Sequence, residues 1–131
     1  MATKVVDGGL DITTNRIKGS GTEPLNIGWG TGAGTAAVAD TTLFTEKLVD
    51  LTTSAGTDHT AGTSSRITTT TTNDTYKVTG TRTATGAGTV TNAGLFDAAS
   101  GGNLFLKGDF TGIGLASGDS IAFTITAVFD N

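Results

Sequence analysis

Apolar and polar residues alternate most cleanly near the end of the chain. Residues 120–129 read S-I-A-F-T-I-T-A-V-F. Ile121, Phe123, Ile125, Ala127 and Phe129 share one face; Ser120, Ala122, Thr124, Thr126 and Val128 share the other. A period of two predicts a strand with one face on a core. Gly118-Asp119 supplies a turn ahead of it. Residues 103–110 repeat the pattern more weakly, with Leu104, Leu106 and Phe110 on one side and Phe105, Lys107 and Asp109 on the other. These two stretches are expected to form the hydrophobic centre of a mostly antiparallel β fold.

The same reading extends along the chain. Residues 1–9 form a short polar arm ending in Asp7-Gly8-Gly9, in which Val5 and Val6 are suited to add to a sheet edge. In residues 10–18, Leu10 and Ile12 share a parity that Ile17 breaks, which predicts two short strands meeting at Thr14-Asn15 or one bulged strand. Leu25, Ile27 and Trp29 alternate with Asn26, Gly28 and Gly30. Trp29 is therefore assigned to the core, with the glycines leaving room for a close neighbour. Residues 40–48 are the best helical segment: Asp40 or Thr41 is placed to cap it, and Leu43, Phe44 and Leu48 lie near one face. Residues 52–65 are polar and read as a long exposed loop.

Residues 66–72 and 75–85 predict a hairpin of two threonine-rich strands about Asn73-Asp74, with Tyr76 and Val78 inward and Lys77 and Thr79 outward. Residues 89–96 form a further strand, with Val90 inward and Gly94 close-packed. Asp97 and Gly101-Gly102 make the connection to residues 103–110, Asp97 by capping and the glycines by positive φ. Ile113 and Leu115 are apolar residues between glycines in the loop that follows.

Seven or eight strands result, with enough inward apolar residues to fill a layer between two sheets. The expected fold is all-β: a two-layer antiparallel β-sandwich, jelly-roll-like or Ig-like, with at most one short helix. The expected organisation is an N-terminal arm, residues 1–9, and a single β-sandwich domain, residues 10–131. No sequence repeats at a fixed period, which argues against a solenoid.

Composition sharpens this picture. The chain has 131 residues, of which 29 are threonine and 20 glycine, against a single proline. Threonine favours strands and gives a polar, uncharged surface. There are no cysteines, which rules out disulfides and thiolate metal sites. The net charge is −4, with 8 basic and 12 acidic residues spread along the chain. A scattered acidic balance disfavours nucleic-acid binding, which needs a cationic footprint. Met1-Ala2-Thr3-Lys4 lacks the apolar run of a signal peptide, and no stretch has the length of a spanning helix. Synthesis in the cytoplasm as a soluble protein without a membrane partner is expected.

Few residues invite chemistry. Gly28, Gly30, Gly32 and Gly34 suggest a phosphate loop, but the first lysine after them is Lys47, and a P-loop needs its lysine and hydroxyl at once. His59 beside Asp58 has no second or third metal ligand nearby in sequence. No second histidine or cysteine completes a hydrolytic triad. Neither an enzyme nor a cofactor is expected.

Residues 89–129 carry a pattern with a known likeness. Ala93-Gly94-Leu95-Phe96-Asp97, Ser100-Gly101-Gly102, the strand from Leu104 to Phe110 and the closing segment from Leu115 to Phe129 follow the order AG(L/I)F(D/N), SGG, apolar strand, (L/V)xxGDxIxxTxxxxF. Ile27-Gly28-Trp29-Gly30-Thr31-Gly32 and Leu43-Phe44-Thr45-Glu46 fit the same group. These stretches, about half the chain, resemble small β-sandwich structural proteins of tailed bacteriophages. The resemblance implies a virion component without active residues that works as a symmetric oligomer, here a trimer. A capsid decoration or cement protein is the first expectation, on the capsid surface and bound to the major capsid protein. A receptor- or carbohydrate-binding module of a tail or fibre is the alternative, for which Trp29, Tyr76, Asn73 and Asp74 would be the pieces. Burial of Trp29 counts against that alternative. Candidate partner-binding residues are Lys4, Val5 and Val6 in the arm and Ile113 and Leu115 in the loop.

Overall fold

The computed structural model describes residues 2–52 and 56–130. Nine strands and one helix follow in the order β1 (Thr3–Val5), α1 (Asp7–Lys18), β2 (Asn26–Gly30), β3 (Glu46–Lys47), β4 (Thr60–Ala61), β5 (Thr63–Ile67), β6 (Thr75–Thr83), β7 (Gly88–Phe96), β8 (Leu104–Leu115) and β9 (Ser120–Val128). One sheet has six strands in the order β1-β8-β7-β2-β3, with β4 also on β2; the other has three, β5-β6-β9. All strand pairs are antiparallel. The all-β, two-layer expectation is met. Among the described residues no helix is long and apolar enough to cross a membrane.

The two most regular segments of the sequence lie in opposite layers. In β9, Phe123 and Ala127 are buried and Ile121 and Ile125 half-buried, while Ser120, Ala122, Thr124, Thr126 and Val128 are exposed. Phe129 shares their inward parity but lies beyond the strand and is 54% exposed. β8 meets two environments: Leu104, Phe105, Leu106 and Lys107 are all buried. One side of it faces the other sheet, and the other is covered by the 36–44 loop, while α1 lies against the backbone carbonyls of Leu104 and Phe105. The main core joins both sheets through Ile27, Trp29, Val78, Val90, Leu95, Phe105 and Phe123. Trp29 is fully buried, edge-on to Phe123 at 6.5 Å, as its alternation predicts.

Several segments differ from expectation. Residues 111–115, expected in a loop with Ile113 and Leu115, continue β8 to Leu115, because their backbone keeps pairing with β7 as far as Gly88; residues 68–72, expected as strand, are connection. Residues 7–18 are a helix, not strands. Gly9 lets its backbone touch β8, because a Cβ there would overlap Phe105 O. Ile12 then fills the core, and burial outweighs the modest propensity of Thr13 and Thr14. Gly19, in the left-handed region at φ 91°, closes the helix with N–H bonds to Arg16 O and from Ser20 to Asn15 O.

Residues 40–48, expected helical, are turns leading into β3. The Asn92 side chain binds both the N–H and the C=O of Phe44, at 2.9 and 3.0 Å, and so takes up groups that a helix would need. The polar run 52–65, expected to be one exposed loop, contains β4 and the start of β5; residues 53–55 lie outside the described residues. The threonine hairpin is present, with β5 ending at Ile67 and residues 68–74 forming the connection.

The arm is part of the domain. Thr3, Lys4 and Val5 pair with Gly108, Lys107 and Leu106 of β8. The Ala2 N–H donates to Asp109 Oδ1 at 3.2 Å, and the other oxygen of that carboxylate accepts from Ala36 N–H at 2.6 Å.

Candidate docking surfaces

Buried polar side chains hold the frame. Arg82, on β6, crosses to the larger sheet. Its guanidinium donates to Asp58 O at 2.7 Å and Thr60 Oγ1 at 2.9 Å, with longer bonds to Ile27 O and Lys47 O at 3.3 Å. It lies 5.0 Å from the Trp29 ring centre. Burial is the main cause that pushes its pKa down to about 10, against the pull of Glu46 and Asp58, so it remains a cation at neutral pH. Lys107, placed by alternation on the side opposite Leu104 and Leu106, is buried. Its Nζ donates to Thr42 O at 2.8 Å, meets Asp40 Oδ2 at 3.0 Å and sits over the Phe44 ring.

His59 was expected in a solvated loop. Its side chain is fully buried and stacks on Phe96 at 3.8 Å between ring centres. Nδ1 faces Ala98 O at 2.8 Å and Nε2 faces Glu46 Oε1 at 2.6 Å. A carbonyl only accepts, so Nδ1 carries a proton. Gly28 makes the room, since a Cβ there would meet the imidazole at 2.8 Å. The Glu46 and Ala98 partners lie 13 and 39 positions away, beyond the reach of local pattern. Among the described residues no group of three or more His, Asp or Glu side chains gathers as a metal site.

The arm and loop candidates do not converge. Val6 is 1% exposed and packs with Leu43, Phe96 and Leu104. Leu115 also belongs to the core. Both side chains are covered within the chain, and neither stands on its surface. Val5 is half-buried against the core, Lys4 is exposed, and Ile113 is 41% exposed. Ile113 lies five residues along β8 from the partner of Thr3, Gly108, roughly 17 Å at strand rise.

The open surface lies elsewhere. A groove of about 530 Å³ runs between α1 and the end of the smaller sheet, floored by Ile12, Tyr76 and Phe105 and edged by Ile17 and Phe129. Ile17 is 81% exposed, and Leu10 on the same helix is 60% exposed. Arg16 and Glu23 are its charged members. Tyr76 stands edge-on to Phe105, and its hydroxyl lies 3.2 Å from both Glu23 Oε1 and Pro24 O. Burial first, then the Glu23 charge, push the phenol pKa up. A second opening, about 260 Å³, lies between the sheets beside β9, where Phe110, Phe123 and Ile125 line the gap. Sequence reasoning missed the groove because half of it belongs to a helix read as strand.

The pieces of a glycan platform are committed elsewhere. Trp29 is in the core and donates through Nε1 to Leu48 O at 2.9 Å. The Asp74 carboxylate accepts N–H bonds from Thr69, Thr70 and Thr71 of its own turn. Asn73 takes a left-handed φ of 59° within that turn.

No family model, no curated protein and no solved structure matches the chain.

Proposed function

We propose that this chain is a structural protein of a tailed-bacteriophage virion: a decoration protein that seats on the capsid shell and stabilises contacts between major capsid subunits. The reading starts from the resemblance of residues 27–48 and 89–129. Its motif residues build frame. Asp97 Oδ1 accepts from Asn103 N–H at 2.7 Å, and Gly101 and Gly102 take φ of 64° and 77° to turn β7 into β8.

The observation that carries the reading is an apolar groove open to solvent on a braced scaffold. Ile17 and Phe129 stand exposed at its edge, while Arg82, Lys107 and Asn92 tie the loops behind the sheets. Preorganised apolar surface binds without an ordering cost, and repeated copies on a shell add avidity. Docking, and no bond-making step, is the proposed work. The sugar-binding alternative loses its platform, because Trp29 is buried.

The test places a labelled copy of this chain on intact particles and images them. Density on the capsid surface supports the reading; density at the tail tip, or none, removes it. Ile17→Asp changes an exposed side chain. It should weaken particle binding tenfold or more, about 1.4 kcal/mol, with the melting temperature preserved.

A further inference from the structure

We infer that the free edge of β9 pairs with the same edge of a second copy of this chain, antiparallel about a two-fold axis at Thr124. β9 ends the three-stranded sheet: its other neighbour is β6, in an unbroken nine-residue register. Just outside the strand, Asp119 O accepts from Ala84 N–H, and Phe129 N–H donates to Asp74 O. Odd-numbered residues therefore turn their backbone groups to β6, and alternation sends the others the opposite way. Ser120, Ala122, Thr124, Thr126 and Val128 direct N–H and C=O groups to an edge where no strand lies among the described residues. The row is about 30 Å long at strand rise.

This edge lacks the usual protection. Edge strands are kept apart by charge, proline, bulges or shortness. Ser120–Val128 contains no charged residue and no proline, and its register has no bulge. The other sheet ends are guarded: β1 has three residues, β3 two, and β5 is five residues with Arg66 among them.

Two constraints limit the register to a two-fold centred on a residue, and pairing the whole of Ser120–Val128 selects the middle one. Free-edge residues must meet free-edge residues, and the inward faces of both copies must stay on one side of the joined sheet. Placing Thr124 opposite Thr124 satisfies both, with Ala122 opposite Thr126 and Ser120 opposite Val128. Asp119 then falls opposite Phe129, and Asp130 opposite Gly118, so no acid faces an acid. The opening beside β9 supplies apolar contact as well: Ile125 of each copy would stand opposite Phe123 of the other along the half-covered wall. One strand pair and this wall make a small interface, so dimerisation is expected to depend visibly on concentration. Self-complementary pairing of one edge closes at two copies, so the expected trimer is replaced by a dimer.

Sedimentation equilibrium of the full chain over a concentration series tests this, with Thr124→Lys and Thr124→Glu as variants. The Thr124 side chain is exposed on the outer face. Each variant sets two like charges directly opposite one another at the axis, about 5.5 Å between Cα atoms. The wild type should dimerise, each variant should weaken dimerisation tenfold or more, and an equimolar mixture should recover it as a heterodimer. A wild type that stays monomeric at about 1 mM, a trimer, a Thr124→Lys protein that dimerises like wild type, or a mixture that fails to recover would each overturn the inference. The virion reading is tested separately. A dimer that ignores particles removes that reading alone, and a particle-bound monomer removes the dimer alone.

Discussion

Arg82→Met removes the strut between the two sheets while keeping an unbranched side chain that fills most of the space. The guanidinium makes two short bonds, to Asp58 O and Thr60 Oγ1, and two at 3.3 Å, to Ile27 O and Lys47 O. Hydrogen bonds to a charged donor contribute about 1.5–3 kcal/mol each; the short pair sets the scale at about 3–6 kcal/mol, and the long pair adds little. Methionine recovers part of this, because a desolvated cation is no longer held in the interior. The expected net loss is about 2–4 kcal/mol. For a domain of this size that lowers the melting temperature by roughly 6–15 °C.

The loss should also be local. His59 N–H, bonded to Ala99 O, and Gly62 N–H, bonded to Leu25 O, flank the segment that Arg82 holds. Amide exchange at these two should accelerate more than at Val78 in the β6 ladder. Arg82→Lys keeps the charge but cannot span Asp58 and Lys47 together, and should fall between. A Met variant that melts within about 2 °C of wild type, with His59 exchange unchanged, would refute the strut.

Gly9→Ala should destabilise the chain by about 1–3 kcal/mol in thermal melts, although alanine is the better helix former. Its Cβ would overlap Phe105 O, whereas at Gly8 the nearest atom, Leu104 O, is 3.2 Å away and the cost should be smaller. Acid titration followed by circular dichroism should show stability falling below about pH 4. Asp109 is held below the usual carboxylate range by the Ala36 N–H, then the Ala2 N–H, and Asp74 by the Thr71 N–H and its neighbours. A depressed folded-state pKa contributes stability above the unfolded value and loses it as pH falls through the folded value. Asp109→Asn should therefore weaken the chain at neutral pH and flatten the acid limb. Deleting residues 1–5 should lower the melting temperature, since β1 completes the sheet beside β8; an unchanged melt would contradict that pairing's contribution.

What the sequence made legible follows from how locally each element is determined. β9 and β6 meet solvent on one face, so alternation of Ile121, Phe123 and Ile125 with threonine encodes them directly. Trp29 sits in a strand buried throughout, yet its glycine neighbours still marked close packing: a Cβ at Gly30 would overlap Phe44 O. Helix α1 was hidden because its burial rests on few residues, Gly9 and Ile12 among them, and its entry lacks a side-chain cap. Its end signals were present: Asp7 in the first turn, Arg16 and Lys18 in the last, and Gly19 beyond. The burial of Lys107 was not legible, because strand parity cannot see a loop folded over the outer face. That loop, with Thr42, Phe44 and Asp40, is 63 or more positions upstream.

The placement of β1 governs the order in which the domain is completed. The Ala2 to Asp109 bond spans 107 positions, and α1 also rests on β8. During synthesis the first eighteen residues leave the ribosome long before the strand they need exists. The β7–β8 pair is local in sequence, whereas the contacts of β1 and α1 with β8 close over about a hundred positions. Such distant closure slows folding, and the last third of the chain must emerge before the first eighteen residues find their place.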